Sequence, residues 1–403
     1  MQVRYYYTTV WCIRGYFLHY CQKTQTRSLY IHWPFCPYKC HFCPFVALAS
    51  HDQFMERYHR ALVSEIRLFA EQQHHKDQID TIHFGGGTPS TYPNDLLLDM
   101  FGILRESFEI QPTVEIALEV NPGTVHAGQL EVWKACGVNR LSIGVQSLKD
   151  KVLSGLNRHQ TARQVYELLE KASMFFDNLS VDLILGLPDV SADEWRQLIQ
   201  EVVSWPIKHV SVYFLSVHEN TPLYFKVKTN QITLPSDEHV VALYQWTCNM
   251  LMQHDFLQYE LSNFAKKSYE SRHNCAYWDR REYRGFGIGA CSFDGTRRMQ
   301  NEKNIMRYMD AIEKNEPVIV FHEELTDEQV KLERLMLGLR RPVGVTLQDF
   351  VDTSSQAQKD ALHKTVQKLH DCKLIEWNND SIRLTMQGLA LENEVIAQLS
   401  GRH

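Results

Sequence analysis

The sequence predicts an α/β protein with a parallel sheet, followed by a small helical, winged-helix-like domain. Between residues 28 and 215, β-like runs alternate with helix-like runs six times. This alternation implies right-handed crossovers within one sheet, which is either curled toward a barrel or open and doubly wound. After residue 320 the pattern changes to helices followed by a short hairpin. Whether the parallel sheet is curled toward a barrel or open and doubly wound, functional groups are expected at the carboxyl ends of its strands.

The first region contains six predicted strands and five predicted helices. Two of the helices begin with a capping box, Thr161 with Gln164 and Ser191 with Glu194, in which each partner satisfies a free backbone N–H group. The predicted strands are Ser28–Trp33, Ile79–Phe84, Val114–Val120, Arg140–Val145, Leu179–Leu185 and His209–Leu215. The predicted helices are 52–73, 93–108, 126–136, 161–176 and 191–204.

The carboxyl-terminal region predicts two helices, a β-hairpin and a last helix. The helices are Thr326–Leu339 and 355–371, and the last one starts near Met386. The hairpin strands Leu374–Trp377 and Ser381–Thr385 flank a polar Asn-Asn-Asp turn. We therefore divide the chain into an extension (1–27), a core (28–255), a connecting region (256–320) and a winged-helix-like domain (321–403). Residues 1–27 fit an extension, a targeting segment or an ordered element.

Composition excludes several classes of protein. The chain has 403 residues, a net charge of −6 and 44% hydrophobic residues, which is ordinary for a folded soluble protein. The acidic charge argues against a nucleic acid as the main partner. No apolar run approaches the length of a membrane span. The ten cysteines are too sparse and uneven for a secreted disulfide scaffold, so a reducing, cytoplasmic location is expected.

Three of the cysteines crowd into one loop directly after the first predicted strand. Cys36, Cys40 and Cys43 have the spacing C-x3-C-x2-C. Three thiolates can hold three irons of a [4Fe–4S] cluster and leave the fourth iron open for another ligand. Zinc with His32 or His41 as a fourth ligand is the alternative, although structural zinc sites usually use two separated ligand pairs. Incidental thiols are the third interpretation, and the residues alone favour the cluster.

This spacing resembles the signature of radical S-adenosylmethionine enzymes, and the resemblance extends through most of residues 28–385. Six blocks appear in the order found in the oxygen-independent coproporphyrinogen III oxidase group. They are Tyr30-Ile-His-Trp-Pro-Phe-Cys36, Gly85-Gly-Gly-Thr-Pro89, Glu119-Val-Asn-Pro122, Ile143-Gly-Val-Gln-Ser147, Asp182-Leu-Ile-Leu-Gly-Leu-Pro188 and Tyr259-Glu-Leu-Ser-Asn-Phe264. The resemblance implies a partial (β/α)6 barrel of the TIM type.

The resemblance also implies two cofactors and the residues that hold them. In that group the open iron chelates S-adenosylmethionine, and an electron from the cluster cleaves it to methionine and a 5′-deoxyadenosyl radical. The glycine triplet at 85–87 lacks side chains, so its backbone can approach the methionine amino group. A plain tight turn would explain the same glycines. The residues implied to contact S-adenosylmethionine are Tyr30, Phe42, Gly86, Gly87, Thr88, Glu119, Gln146, Arg158 and Asp182.

Two departures assign the chain to a subgroup. The oxidases carry a further cysteine two positions after the third, where this chain has Phe45. The segment that begins at His273 and ends at Trp278 matches the H-N-x-x-Y-W motif of HemW-type haem chaperones. His273 offers an axial nitrogen, and Tyr277 and Trp278 offer flat aromatic faces, so these three residues are the predicted haem contacts. The alternative is that His273 and Asn274 cap a turn and that the aromatic residues belong to the core.

The resemblance therefore implies a haem chaperone that retains the cluster and S-adenosylmethionine. Its implied partners are haem, haem-accepting proteins and a low-potential electron donor. Peripheral contact with membrane haem proteins and a homodimer are both compatible with this reading. The alternative function is oxidative decarboxylation of coproporphyrinogen III, and a third class is radical modification of another substrate. Whether the protein is an enzyme is left open by the sequence.

One further motif is rejected. The glycine-rich segment Gly285-Phe-Gly-Ile-Gly-Ala290 loosely resembles a dinucleotide-binding fingerprint. It follows Arg280–Arg284 rather than a convincing strand, and no clear helix follows it. We therefore expect no dinucleotide site there.

Overall fold

The structure is a computed structural model that describes residues 26–346, 356–378 and 381–401. The prediction for the amino-terminal extension and the turn of the predicted hairpin lie almost entirely outside these residues. The strands are β1 (Ser28–Trp33), β2 (Phe35–Cys36), β3 (Leu48–Ala49), β4 (Gln78–Gly86), β5 (Glu109–Val120), β6 (Arg140–Gln146), β7 (Asn178–Leu185), β8 (His209–Phe214), β9 (Leu257–Gln258), β10 (Asn263–Ala265), β11 (Tyr283–Phe286), β12 (Cys291–Phe293), β13 (Arg297–Asn301), β14 (Ile319–Glu324), β15 (Val345–Thr346), β16 (Ile375–Asn378) and β17 (Ser381–Leu384).

The helices lie between these strands and after them. They are α1 (Met55–Glu71), α2 (Asn94–Ser107), α3 (Gln129–Cys136), α4 (Asp150–Gly155), α5 (Ala162–Ser173), α6 (Ala192–Val202), α7 (Pro222–Lys228), α8 (Asp237–Gln253), α9 (Arg272–Trp278), α10 (Ile305–Glu313), α11 (Asp327–Leu339), α12 (Gln356–Asp371), α13 (Met386–Ala390) and α14 (Glu392–Leu399).

One large sheet organises residues 28–324. Its order is β14-β13-β12-β11-β1-β4-β5-β6-β7-β8-β10-β9. Seven adjacent strands in the middle of the sheet pair in parallel, in the order β11, β1, β4, β5, β6, β7, β8. The strands on either side of them, β12 to β14 and β10 with β9, pair antiparallel. The two terminal strands of the sheet are not paired with each other in the described residues, so the sheet is curled but not closed into a barrel. The predicted α/β architecture with a partial barrel is confirmed.

The parallel strands form where the sequence has runs of apolar and β-branched residues. Leu141, Ile143 and Val145 of β6 are completely buried, as are Leu179 and Val181 of β7. Parallel strands covered by helices are apolar on both faces, which explains why these runs are nearly continuous rather than alternating. The six strands predicted from the sequence are all present, with ends that differ by up to five residues.

Both predicted capping boxes are present. The Thr161 hydroxyl accepts from the Gln164 N–H, and the Gln164 side chain accepts from the Thr161 N–H. Ser191 and Glu194 make the same pair of bonds at the start of α6. Helix α4, in contrast, was not predicted, because six residues are too few to show a helical period.

The strands between residues 256 and 324, β9 to β14, were also not predicted, whereas both strands of the predicted hairpin are present as β16 and β17. The sequence interpretation placed no strand before Gly285, yet β11 (Tyr283–Phe286) pairs in parallel with β1 at the centre of the sheet. That expectation was wrong, because a four-residue strand with Arg and Gly in it carries no clear pattern. The glycine segment is followed by strand β12 rather than by a helix, so it lacks the strand–helix context of a dinucleotide site.

The carboxyl-terminal region has a hydrophobic core of its own. Leu335, Leu339, Val366, Ile375 and Val395 pack together there, apart from the main core. A three-stranded antiparallel sheet in the order β15-β17-β16 packs with helices α11 to α14. The predicted helical, winged-helix-like architecture of this region is therefore confirmed.

Within the described residues, no helix combines the length and the apolar character that a bilayer span requires.

Glu260, between β9 and β10, makes folding stability depend on pH. Its side chain is 1% exposed and accepts from the Ser262 N–H at 3.0 Å. Burial raises the pKa of this carboxyl to about 7. A raised pKa means that the protonated carboxyl contributes stability that is fully present below the ordinary pKa of 4.5 and is lost as the pH rises through about 7.

We therefore expect the free energy of unfolding to fall by about 3 kcal/mol more in the natural chain than in Glu260→Gln between pH 4.5 and pH 8. The Gln variant keeps an acceptor for Ser262 but does not ionise. Urea unfolding at several pH values measures this difference. Parallel pH profiles for the two proteins would contradict the prediction.

Candidate functional site

A cavity opens at the carboxyl ends of β1, β4, β5, β6 and β7. Its wall contains every predicted cluster and S-adenosylmethionine residue except Tyr30. These residues are Cys36, Cys40, Phe42, Cys43, Gly86, Gly87, Thr88, Glu119, Gln146, Arg158 and Asp182. Several further residues in its wall were not predicted as site residues, among them Tyr38, Lys39, Asn121, Ser142 and Gly144. These residues lie within or after strands that carry predicted site residues, and this position in the sequence could have identified them.

The cysteine loop is held over this cavity by main-chain hydrogen bonds. β2 pairs in parallel with β3, so the chain leaves β1, runs through Cys36 and returns at Leu48. The Cys43 N–H donates to the Cys40 carbonyl at 3.2 Å, which closes a turn between the last two cysteines. Cys36 Sγ and Thr88 Oγ1 are hydrogen-bonded at 3.0 Å. The Thr88 contact joins the loop to the end of β4.

Arg158 is a buried cation beside the thiols. It is 9% exposed, and its Nη2 donates to the Gly144 carbonyl at 2.6 Å. Its Nε donates to Gln160 Oε1 at 2.9 Å, and its Nη1 lies 3.8 Å from Cys40 Sγ. Burial raises the pKa of the Cys36 thiol to about 11, and the Thr88 hydrogen bond and the Arg158 charge oppose this rise. A fixed guanidinium favours negative charge on the sulfur atoms and on any anion bound there.

The glycines at the end of β4 are required by the packing of the protein itself. Gly86 has a φ of +117°, which L residues rarely adopt. A Cβ on Gly87 would lie 2.3 Å from the Pro34 carbonyl oxygen. The Gly87 N–H also donates to the Trp33 carbonyl at 2.8 Å. The triplet therefore lets β4 pass close to the chain that leads into the cysteine loop, in addition to leaving space in the cavity.

Polar groups on the opposite wall are available to a ligand. Asp182 Oδ2 accepts from the Ser142 hydroxyl at 2.9 Å, whereas its buried Oδ1 has no hydrogen-bond partner within the described residues. Burial raises the pKa of the Asp182 carboxyl, and the hydroxyls of Ser211 and Ser142 oppose the rise. Gln146 has a φ of +65°, at an irregularity where the β6–β7 register shifts. Strained backbone at a cavity wall is characteristic of functional sites.

Glu119 is positioned from beneath by a stack of rings. His83 Nε2 donates to Glu119 Oε1 at 2.9 Å. His83 Nδ1 is buried with no partner in the part of the chain that the structure describes, so the proton that is shared with Glu119 resides on Nε2. The Tyr30 ring stacks on His83 with centroids 6.0 Å apart, and the Tyr30 hydroxyl is hydrogen-bonded to His32. Tyr30 thus lies one layer below the cavity wall.

The same stack continues into the H-N-x-x-Y-W motif on α9. His273 is 1% exposed, and its ring stacks on His83 with centroids 5.1 Å apart. Its Nδ1 is hydrogen-bonded to Thr81 Oγ1 and its Nε2 to the Tyr277 hydroxyl, each at 2.8 Å. Both ring nitrogens are therefore engaged. Coordination of haem iron by His273 remains a prediction, and it requires the bond to Tyr277 to open.

The thiols suit a cluster rather than a single ion. In the described ranges, no three His, Cys, Asp or Glu side chains converge as ligands of one metal ion. In a [4Fe–4S] cluster each thiolate binds a separate iron, so the three sulfur atoms need only face a common volume. Cys36, Cys40 and Cys43 all line the cavity. The unpartnered Asp182 Oδ1 in the same wall fits a ligand with hydroxyl or amino donors, such as S-adenosylmethionine.

A partial parallel barrel with three thiols after its first strand defines a radical S-adenosylmethionine protein. Residues 30–202 match the model of the Radical SAM superfamily, and residues 325–391 match the HemN C-terminal domain. The structure superposes on the coproporphyrinogen III oxidase (HemN) of Escherichia coli with a TM-score of 0.80 and 23% identity, over 94% of this chain and 90% of that one. At that identity the superposition establishes the fold.

Sequence similarity to curated proteins is higher. The heme chaperone HemW of Bacillus subtilis is 34% identical over 93% of this chain and 99% of its own length. The heme chaperone HemW of Synechocystis is 31% identical over 87% of this chain and 86% of its own. The bovine mitochondrial protein named radical S-adenosyl methionine domain-containing protein 1 is 30% identical over 94% and 88%. The chain belongs to the HemW family.

Proposed function

We propose that the protein is a haem chaperone: it binds a [4Fe–4S] cluster and S-adenosylmethionine in the cavity, binds haem, and delivers haem to acceptor proteins. The names of the Bacillus and Synechocystis relatives support the haem function. The observation that favours a chaperone over an oxidase is Phe45. It stands two positions after Cys43, where the oxidases have a further cysteine. Phe45 is 65% exposed and lines the cavity beside the cysteine loop.

The residues of the cavity divide into two groups under this proposal. Cys36, Cys40 and Cys43 hold three irons, and Arg158 places a positive charge beside them. S-Adenosylmethionine lies against Phe42, Thr88, Glu119, Gln146 and Asp182, all of which line the cavity. When bound, the cluster supplies one-electron reduction of the sulfonium. The low-potential donor that reduces the cluster and the acceptor of haem are further partners in this proposal.

His83 provides a specific test of the S-adenosylmethionine site. Because His83 donates to Glu119, replacing it with Phe removes a hydrogen bond to a charged group, which is worth about 1.5–3 kcal/mol. We expect the dissociation constant for S-adenosylmethionine to rise about tenfold or more in His83→Phe, at unchanged iron content. Equilibrium dialysis with the reconstituted protein measures this constant.

Thr81→Val is the matched control, because it lies on the same strand and loses its bond to His273 but does not contact Glu119. Equal affinity of His83→Phe and the natural protein for S-adenosylmethionine would show that the bond from His83 to Glu119 does not contribute to the binding of this ligand.

Coproporphyrinogen III oxidation is the second candidate function, because the fold matches that of the E. coli oxidase. The test is anaerobic incubation of the reconstituted protein with S-adenosylmethionine, a low-potential reductant and coproporphyrinogen III, followed by mass spectrometry of the tetrapyrroles. The chaperone proposal predicts an unchanged tetrapyrrole. Loss of two carboxyl groups as carbon dioxide, absent in the cluster-free Cys36→Ala variant, would make the protein an oxidase.

We also propose a cytoplasmic location, because cluster assembly needs reduced thiols and the described cysteines are free. The bovine relative is named mitochondrial, and the mitochondrial matrix is also a reducing compartment. Fractionation of cells that express the full chain distinguishes the two locations.

A further inference from the structure

A second opening in the molecule lies between α9 and the carboxyl-terminal domain. It consists of two adjoining hollows of about 570 and 560 Å³ that share Arg341 and Val343 in their walls. Ligand pockets are typically about 300–1,000 Å³, so each hollow has the size of a small-molecule site. We call the two hollows together the arginine cleft. Its wall contains two carboxylates, Glu270 and Asp279, and five arginines, Arg272, Arg280, Arg281, Arg334 and Arg341.

The cleft has more positive charge than its carboxylates neutralise. Arg281 and Arg341 both pair with one carboxylate, that of Asp279. Arg272 donates from its guanidinium to a backbone carbonyl, that of Thr113, rather than to an acid. Two guanidinium groups that share one carboxylate retain a net positive charge, which attracts an anionic ligand.

Two buried donors in the cleft have no partner within the described residues. The Arg280 side chain is 11% exposed; its Nε donates to Glu333 at 2.5 Å, and its Nη2 is one of these two atoms. The Trp278 indole Nε1 is the other. Both residues line the cleft. Buried donors without acceptors are costly, so an acceptor supplied by a ligand would be favourable here. The Trp278 ring adds a flat apolar surface in the same wall.

Helix α9 therefore has two faces with different roles. His273 and Tyr277 are directed inward and bond to each other, and His273 also bonds to Thr81 of β4. Cys275 and Trp278 line the arginine cleft on the other side. Cys275 is partly buried and is a free thiol. A thiol, an aromatic face and cationic donors together match a planar, dianionic, iron-containing ligand.

We propose that haem binds in the arginine cleft, with its two propionates on Arg281 and Arg341 and its iron ligated by the Cys275 sulfur. This inference rests on the proposed haem-chaperone function and assigns its binding site. On ligation the Cys275 S–H bond breaks, the proton passes to solvent, and the sulfur donates an electron pair to ferric iron without a change in oxidation state. Trp278 contacts the macrocycle, whereas His273 and Tyr277 hold α9 against β4.

The cleft also suits delivery of a ligand. It lies on the side of α9 away from the buried stack, at the boundary with the carboxyl-terminal domain. Val343 is 75% exposed at its rim. Haem bound there can be reached by an acceptor protein without opening the main core. The cluster cavity and the haem site are then separate, and the stack of His273, His83 and Glu119 connects them.

The test is an optical titration of the full-length, cluster-loaded protein with ferric haem. Four proteins are compared: the natural chain, Arg281→Gln/Arg341→Gln, Cys275→Ser, and the control Arg307→Gln on the exposed face of α10. Loss of two charge-assisted bonds is expected to weaken binding about 100-fold in the double variant. Haem dimethyl ester, which lacks both carboxylates, should bind the double variant and the natural chain equally. Cys275→Ser should lose the electron paramagnetic resonance signature of a thiolate-ligated ferric haem.

Three outcomes overturn the inference. The first is haem binding by the double variant with the affinity of the natural chain. The second is retention of the thiolate signature in Cys275→Ser. The third is loss of binding in His273→Asn but not in Thr81→Val, which breaks the same bond between α9 and β4; with unchanged iron content, this result would place haem on the inner face of α9. If the natural chain itself binds no haem, the proposed function fails, and this result is distinct from failure at the arginine cleft.

Discussion

Replacing any one of Cys36, Cys40 and Cys43 with Ala is expected to abolish the iron–sulfur cluster. The natural chain should take up about four irons after anaerobic reconstitution, with the visible absorbance of a [4Fe–4S] centre. The iron content of each single variant should fall to near zero, because the cluster needs all three protein thiolates to hold three of its irons. Iron analysis and absorbance of the reconstituted proteins measure the effect.

Two other cysteines serve as matched controls. Cys291 and Cys372 are exposed free thiols outside the cavity, so their Ala variants should keep full iron content. A triple variant of the cavity cysteines that still takes up four irons would show that the cluster assignment is wrong. Uptake of one zinc ion in place of iron by the natural chain would favour the alternative zinc site.

Replacing Glu65 with Leu is expected to lower the free energy of unfolding by about 3–5 kcal/mol, the cost of breaking a buried ion pair. The Glu65 carboxylate is 4% exposed and lies between elements distant in the chain. It accepts from Arg284 at 3.3 Å, Asn301 at 2.8 Å and the Tyr308 hydroxyl at 2.6 Å. The Gly287 N–H donates to it at 2.9 Å. The variant therefore deprives several buried donors of their acceptor.

Two further variants calibrate this effect. Tyr308→Phe removes one donor from the network and should cost about 1 kcal/mol. Glu56→Gln alters an exposed carboxylate on the same helix and should change stability by less than about 0.5 kcal/mol. Chemical denaturation of the natural chain and the three variants measures these changes in the free energy of unfolding. If the free energy of unfolding of Glu65→Leu lay within about 1 kcal/mol of that of the natural chain, the hydrogen bonds to the Glu65 carboxylate would not be a determinant of stability.

The sheet and the cluster cavity could be predicted because their signals are local. Buried parallel strands are continuous apolar runs, and their carboxyl ends lie at one edge of the sheet. Thus Glu119 at the end of β5, Gln146 at the end of β6 and the cysteines after β1 meet in one cavity although they are far apart in the chain. Asp182 joins them from within β7.

Other features depend on long-range packing that no local pattern reveals. β11 is short and contains Arg and Gly, yet it pairs with β1, because the edge of β1 opposite β4 has no other partner strand. The motif on α9 indicated haem chemistry but not which side of the helix faces inward. Only the tertiary structure shows that both nitrogens of His273 are engaged and that Cys275 and Trp278 line a cleft.

Optical titration of the cluster-loaded, full-length protein with ferric haem tests the central claim most directly. The account predicts saturation at one haem per chain, with a shift of the haem absorbance band that an exposed-thiol variant such as Cys372→Ala also shows. Absence of saturable binding by the natural chain, with its cluster intact, would contradict the haem-chaperone proposal.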